Sequence, residues 1–212
     1  MKQVAKPQNP TQTVNQRIPK GKLGLIIVDL QPRFLPEMSY AHGNVDTGLR
    51  KVKELIKFAG ELEITTTFLE YEPPKIKNVP LFWKTKKPEM AGTGRTFPSL
   101  KAAADNRSKT IVKQVLDGFM MPELRMLLKE YEIKGTIIAG YERIQCVRAT
   151  VNGALRNGYT VLTSDELLFG DCRRNSLGLS RETMKFFRQN TVYFETVQEL
   201  METIREISRS YG

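Results

Sequence analysis

The chain has 212 residues, of which 40% are apolar and 26% charged, enough for one water-exposed domain with a substantial core. Its 33 Lys and Arg outnumber its 23 Asp and Glu, for a net charge of +10 that attracts anions in general. No zinc-finger spacing, RNP-like aromatic motif or basic helical stripe accompanies that charge, so specific nucleic-acid recognition is not expected. There is no apolar run of about 18 residues and no signal-peptide core. Two cysteines, Cys146 and Cys172, cannot build a disulfide framework. The expectation is a cytoplasmic protein with no membrane partner.

Residues 1–22 are polar, basic and Pro-containing and read as a flexible arm, leaving 23–212 as the folded domain. LGLIIVDL (23–30) is a continuous apolar run, fit for a strand buried on both faces. Leu49, Val52, Leu55, Ile56 and Ala59 recur at helical spacing over 47–61. EITTTFLEY (63–71) is β-branched and aromatic and predicts a second strand; KTIVKQV (109–115) predicts a third. Between them, 72–108 is rich in Pro, Gly and Lys, the composition of a binding loop or lid. Pro122 opens a helix over 122–131. GTIIAG (135–140) and YTVLTSD (159–165) predict the fourth and fifth strands, 180–189 a helix, and TVYFE (191–195) the sixth strand. Thr196 and Glu199 form a capping-box signature for a closing helix over 197–209.

Strands alternating with helices through short connections imply parallel pairing by right-handed crossovers, in an open sheet with helices on both faces. Sites in such sheets lie outside the carboxyl ends of the strands. There the first predicted strand ends in Asp29, the third carries Lys113, and the turn after Gly140 delivers Cys146. Val147, Val151, Ala154 and Leu155 face one way on the helix that follows, and Asn157-Gly158 ends it, so Cys146 falls near a helix N-terminus, which favours a thiolate. An inert, small, buried apolar residue is the competing role for a lone cysteine. Asp29 could equally be a helix N-cap or turn residue, and Lys113 a solvated strand end. The one histidine, His42, sits in a loop, and if it is set aside a base for Cys146 must be a carboxylate. One histidine and two distant cysteines do not make a zinc site of the usual ligands, and G-x-S-x-G, P-loop and G-x-G-x-x-G motifs are absent.

The segments VDLQPRF (28–34), IVKQVLDGF (111–119) and AGYERIQCVRATVNGALRNGY (139–159) together resemble the isochorismatase-like cysteine hydrolases, a group that includes nicotinamidases, pyrazinamidases and N-carbamoyl amide hydrolases. The resemblance spans about 22–205; CVRAT with the following RNGY is its most specific part, while DLQPRF replaces the commoner D-x-Q-N-D-F. It implies an α/β fold of three layers, α/β/α, Rossmann-like, with a six-stranded parallel sheet. It implies a triad of Asp29, Lys113 and Cys146. It also implies a cis peptide between Tyr141 and Glu142 that aims the backbone N–H groups of Glu142 and Cys146 at one point as an oxyanion hole. Cysteine in this family goes with C–N bond hydrolysis through a thioester, here of a small amide, carbamoyl or ureido compound.

Metal-dependent members carry an Asp-x-His…His site after the second strand; the matching LEYEPPK has no histidine, so neither metal nor other cofactor is expected. Arg143 stands where the family has a small residue, and it would either clamp an anionic substrate's carboxylate, face solvent or cross a subunit interface. Phe34, Trp83, Phe119 and Tyr141 are candidate pocket walls, with core packing as their alternative. The resemblance further implies a homo-oligomer, dimer or tetramer. A drifted site would instead make the chain a binding or assembly module, and a redox-responsive thiol is a third use of Cys146.

Overall fold

The computed structural model describes residues 22–73, 94–171 and 177–211. The run at 23–30 forms β1 (Lys22–Val28), followed by β2 (Met38–Ser39) and α1 (Val45–Glu61). β3 (Thr65–Tyr71), a short α2 (Pro98–Lys101) and β4 (Lys109–Lys113) come next. Then follow α3 (Pro122–Glu130), β5 (Ile133–Gly140), α4 (Arg148–Arg156) and β6 (Thr160–Ser164). β7 (Gly170–Asp171), α5 (Leu177–Asn190), β8 (Val192–Phe194) and α6 (Val197–Tyr211) complete the chain. Six strands form one sheet in the order β4-β3-β1-β5-β6-β8, every pairing parallel. β2 and β7 make a separate antiparallel pair.

The lack of polar alternation in β1 follows from its central place. Leu25 and Ile27 join the apolar cluster on one face of the sheet, and Ile26 and Val28 the cluster on the other, because successive strand residues point to opposite faces. Each such fully buried aliphatic side chain is worth about 1.5–3 kcal/mol. On the first face α1 contributes Leu55 and Ile56, and α6 contributes Leu200 and Ile204. On the second, α3 supplies Leu124 and Leu128, α4 Val151 and Ala154, and α5 Phe187. The three-layer α/β/α expectation therefore holds, as do all six strands.

The differences lie at element ends. β1 stops at Val28 because Asp29 turns to φ 51, and β4 stops at Lys113, two residues short of the expected end. α1 starts at Val45 because the Asn44 side chain accepts the Thr47 N–H at 2.8 Å. Half of the capping box at α6 forms: Thr196 Oγ1 accepts the Glu199 N–H at 3.1 Å, while the Glu199 carboxylate accepts the N–H of Glu195, one residue before the cap, at 3.3 Å. The buried Glu166 pins α6 to α1, accepting the Val197 N–H at 3.0 Å and pairing with Lys51. Apart from Lys22, which opens β1, the expected N-terminal arm lies outside the described residues, as does Cys172. Among the described residues no helix is long and apolar enough to cross a membrane.

Candidate active site

The central strands fix the site. Val28 of β1 pairs with Leu69 of β3 on one side and Gly140 of β5 on the other. One residue later the Asp29 N–H donates to Leu69 O at 2.9 Å, and Asp29 O accepts the Gln31 N–H at 2.9 Å. Asp29 holds φ 51, a left-handed conformation that costs about 1–3 kcal/mol in a non-glycine residue, least in Asp and Asn. The outcome is a carboxylate only 1% exposed at the carboxyl end of the sheet.

Lys113, the last residue of β4, is fully buried beside it. Its Nζ donates to Asp29 Oδ2 at 2.7 Å, to Val115 O at 3.1 Å and to Leu116 O at 3.4 Å, and it lies 5.2 Å from the centre of the Tyr71 ring. Three acceptors match the three donors of an ammonium. Lys113 is thus no solvated strand end, and Asp29 caps no helix.

Cys146 is delivered by β5. Gly140 has φ 149, and a Cβ there would stand 2.1 Å from Val28 O, so only glycine fits. The Tyr141 N–H donates to Val28 O at 2.9 Å, and the Tyr141–Glu142 peptide is cis. Arg143–Val147 then forms a single π-helical turn before α4. Arg143 N–H is bonded to Phe169 O at 2.8 Å, while Gln145 N–H and Val147 N–H both go to Glu142 O, at 3.0 and 3.1 Å. Among the described residues the Cys146 amide makes no backbone bond outside its own turn.

Cys146 therefore sits inside an irregular turn that packs against the second apolar cluster, one turn before the regular helix. Its thiol interacts with the Asp29 carboxylate, whose Oδ1 is buried without a hydrogen-bond partner. Burial first, and then the Asp29 charge, push the thiol up to about 12, against the opposing pull of Lys113. The helix-terminus expectation of a resting thiolate is corrected accordingly: desolvation and the adjacent carboxylate outweigh the dipole. Asp29 is itself raised by burial, with Lys113 pulling the other way. Burial and the Asp29 charge thus both favour the protonated sulfur, which stands next to a desolvated carboxylate.

Two contributors were not anticipated. Gln31 is fully buried; its Oε1 accepts the Tyr71 N–H at 2.9 Å, and its Nε2 donates to Tyr71 O at 3.2 Å and to Gly94 O. Its side chain thus continues the β1–β3 ladder to the last residue of β3, past the end of β1. Arg33, in the short helical turn Pro32–Phe34, lays its guanidinium 4.9 Å from the Phe34 ring centre and 5.7 Å from that of Tyr71. Burial lowers its pKa, opposed first by Asp29. The sequence signal for both was the run Gln31-Pro32-Arg33, two residues beyond a strand-end acid.

Of the expected walls, Phe34 and Tyr141 meet with ring centres 5.2 Å apart. Phe119 is corrected to core: it is 2% exposed and packs on Tyr159 at 5.5 Å, because Gly118 is pressed against Leu69 and Thr150 beneath it. Trp83 lies outside the described residues. Arg143 packs on the β2–β7 pair, where a Cβ on Gly170 would come within 3.3 Å of its Nε. His42 pairs with Asp165 at 2.9 Å rather than with the thiol. Among the described residues no group of His, Cys, Asp and Glu converges as a metal site.

The family described as Isochorismatase domain matches residues 24–167. Among solved structures, an isochorismatase family protein from Burkholderia thailandensis is similar with TM-score 0.72 and 15% identity, over 89% of this chain and 98% of that one. A MAR1 ribonuclease from Caenorhabditis elegans gives TM-score 0.68 and 20% identity over 91% of each chain. N-carbamoylsarcosine amidase from Thermoplasma acidophilum gives 0.58 and 16% over 81% of this chain and 94% of that one. At such identities the structural likeness speaks for the fold alone. No curated protein matches the chain.

Proposed function

This chain belongs to the isochorismatase family, and from that premise we propose that it is a cysteine-dependent hydrolase of the C–N bond in a small amide, carbamoyl or ureido compound. The observation that carries the reading is the thiol of Cys146 beside the buried Asp29–Lys113 pair. Sulfur attacks the substrate carbonyl carbon as its proton passes to Asp29, forming the S–C bond. The oxyanion is received by the backbone N–H groups of Glu142 and Cys146. Collapse breaks the C–N bond while Asp29 returns the proton to the leaving nitrogen. Water then adds to the thioester, losing its proton to Asp29, and the acid leaves as that proton returns to sulfur. Lys113 opposes the effect of burial on Asp29 and so favours the anionic, basic form of the carboxylate.

The test compares wild type with Cys146→Ala on primary amides, N-carbamoyl compounds and ureides, following amine or ammonia release. Loss of about 10³-fold or more in rate is expected from removing a nucleophile; equal rates overturn the reading. RNA belongs in the same panel, given the +10 charge and the ribonuclease among the similar structures.

One observation favours a second reading, a binding or assembly module: a thiol held up at about 12 is a poor nucleophile until its proton is removed. A Cys146 that reacts with iodoacetamide no faster than free cysteine, in a protein inert toward the whole panel, supports the module. Assembly into a homo-oligomer is part of the proposal in either case. Val112, Val115, Leu116, Met120 and Met126, on and after the edge strand β4, are exposed apolar side chains of the kind a second copy would cover.

A further inference from the structure

Arg33 is fixed in place, and yet two of its three guanidinium nitrogens find no acceptor among the described residues. Its Nε and Nη2 are buried without a hydrogen-bond partner. Two of the carboxylates whose charge acts on it are engaged elsewhere: Asp29 with Lys113 at 2.7 Å, and Glu70 with Lys101 at 2.9 Å and the Thr96 N–H at 2.8 Å; Glu72 is exposed. The guanidinium is held instead by the faces of Phe34 and Tyr71, while Nη1 borders Gly94, where a Cβ would come within 3.4 Å of it. A desolvated cation with its donors unused is unfavourable unless something from outside supplies the acceptors.

The two unused nitrogens are adjacent on one edge of the guanidinium, the edge that matches both oxygens of a carboxylate. The guanidinium adjoins the buried Asp29–Lys113 pair, its charge acting on Asp29. Tyr71 lies under both Arg33 and Lys113, and the Phe34 ring beneath Arg33 touches Tyr141, which leads into the turn bearing Cys146. We propose that Arg33 is the carboxylate-binding subsite of this centre, so that the substrate is a small monoanionic acid carrying its amide or carbamoyl group a short distance away. This deepens the hydrolase reading and rests on it for the word substrate.

The experiment measures binding without turnover. Cys146→Ala protein is titrated by calorimetry with N-carbamoylglycine, N-carbamoyl-β-alanine and succinic acid monoamide, each against its neutral carboxamide counterpart. At least one acid is expected to bind tenfold or more tightly than its neutral partner, and the preference is expected to vanish when Arg33→Met or Arg33→Gln is added. The subsite is overturned when no acid is preferred, which needs no Arg33 variant to be read, or when the preference survives either substitution in a folded protein. Failure of the hydrolase reading is a separate event, seen as wild-type rates in Cys146→Ala, and leaves a charge-selective binding result standing.

Discussion

The Lys113 ammonium lies 2.7 Å from the Asp29 carboxylate, with neither side chain more than 1% exposed. A pair this deep is costly to break one-sidedly, because the survivor is left charged and unsolvated. Lys113→Met should destabilise the fold by about 3–5 kcal/mol. The double variant Asp29→Asn/Lys113→Met should lose clearly less than the sum of the single changes. Urea denaturation of the four proteins reads the coupling, and additive losses would contradict it.

The same pair sets the thiol's proton affinity. Asp29 raises the Cys146 pKa and Lys113 lowers it, under a larger effect of burial. Asp29→Asn should therefore bring the pKa down from about 12, and Lys113→Met should send it further up. Thiolate absorbance against pH checks both signs. A rise in Asp29→Asn would show that the carboxylate does not act on the sulfur.

Gln31 holds the end of β3 by both its backbone groups at Tyr71. Gln31→Ala leaves a buried N–H and C=O unanswered and should cost about 1–3 kcal/mol. Faster hydrogen exchange at the Tyr71 amide would locate the loss; unchanged exchange there would refute the placement.

Gly140 has no room for even one carbon, given φ 149 and Val28 O at 2.1 Å from the position of a Cβ. Gly140→Ala should destabilise by about 3 kcal/mol or more, and it should do so more than Gly158→Ala, where φ is 80 but nothing lies within 4 Å. Thermal unfolding of the two variants decides this by their order.

Glu166 carries a lowered pKa: burial works to raise it, but Lys51 and the Val197 N–H outweigh that. A depressed carboxylate contributes stability that is present above its unfolded value, ordinarily 4.5 for Glu, and is lost as pH falls through the folded one. The stability gap between wild type and Glu166→Gln should hold at neutral pH and shrink on acidification below that range. A gap that widens toward acid would reverse the assignment.

The fold was legible because buried parallel strands are continuous apolar runs, and LGLIIVDL (23–30) and GTIIAG (135–140) are such runs. The meeting of Asp29, Lys113 and Cys146 followed from strand ends and from the resemblance carried by the cysteine segment. What escaped depends on three dimensions. The left-handed Asp29, the π turn at Arg143–Val147 and the two-residue strands β2 and β7 leave no periodicity to read. Phe119 reads alike as wall or core until Gly118 is seen pressed on Leu69. Arg33 looked like a departure from a motif; only its unpaired fork gives it a use.

Val28 and Gly140 occupy one rung of the central ladder, so the acid and the sulfur-bearing turn leave the sheet from neighbouring rails at equal height. The starting points of both are set by main-chain pairing, and the turn after Gly140 is then held by its bonds to Phe169 O and Glu142 O. Segments elsewhere on that rim can therefore be lengthened or exchanged while the acid and the sulfur-bearing turn keep their alignment.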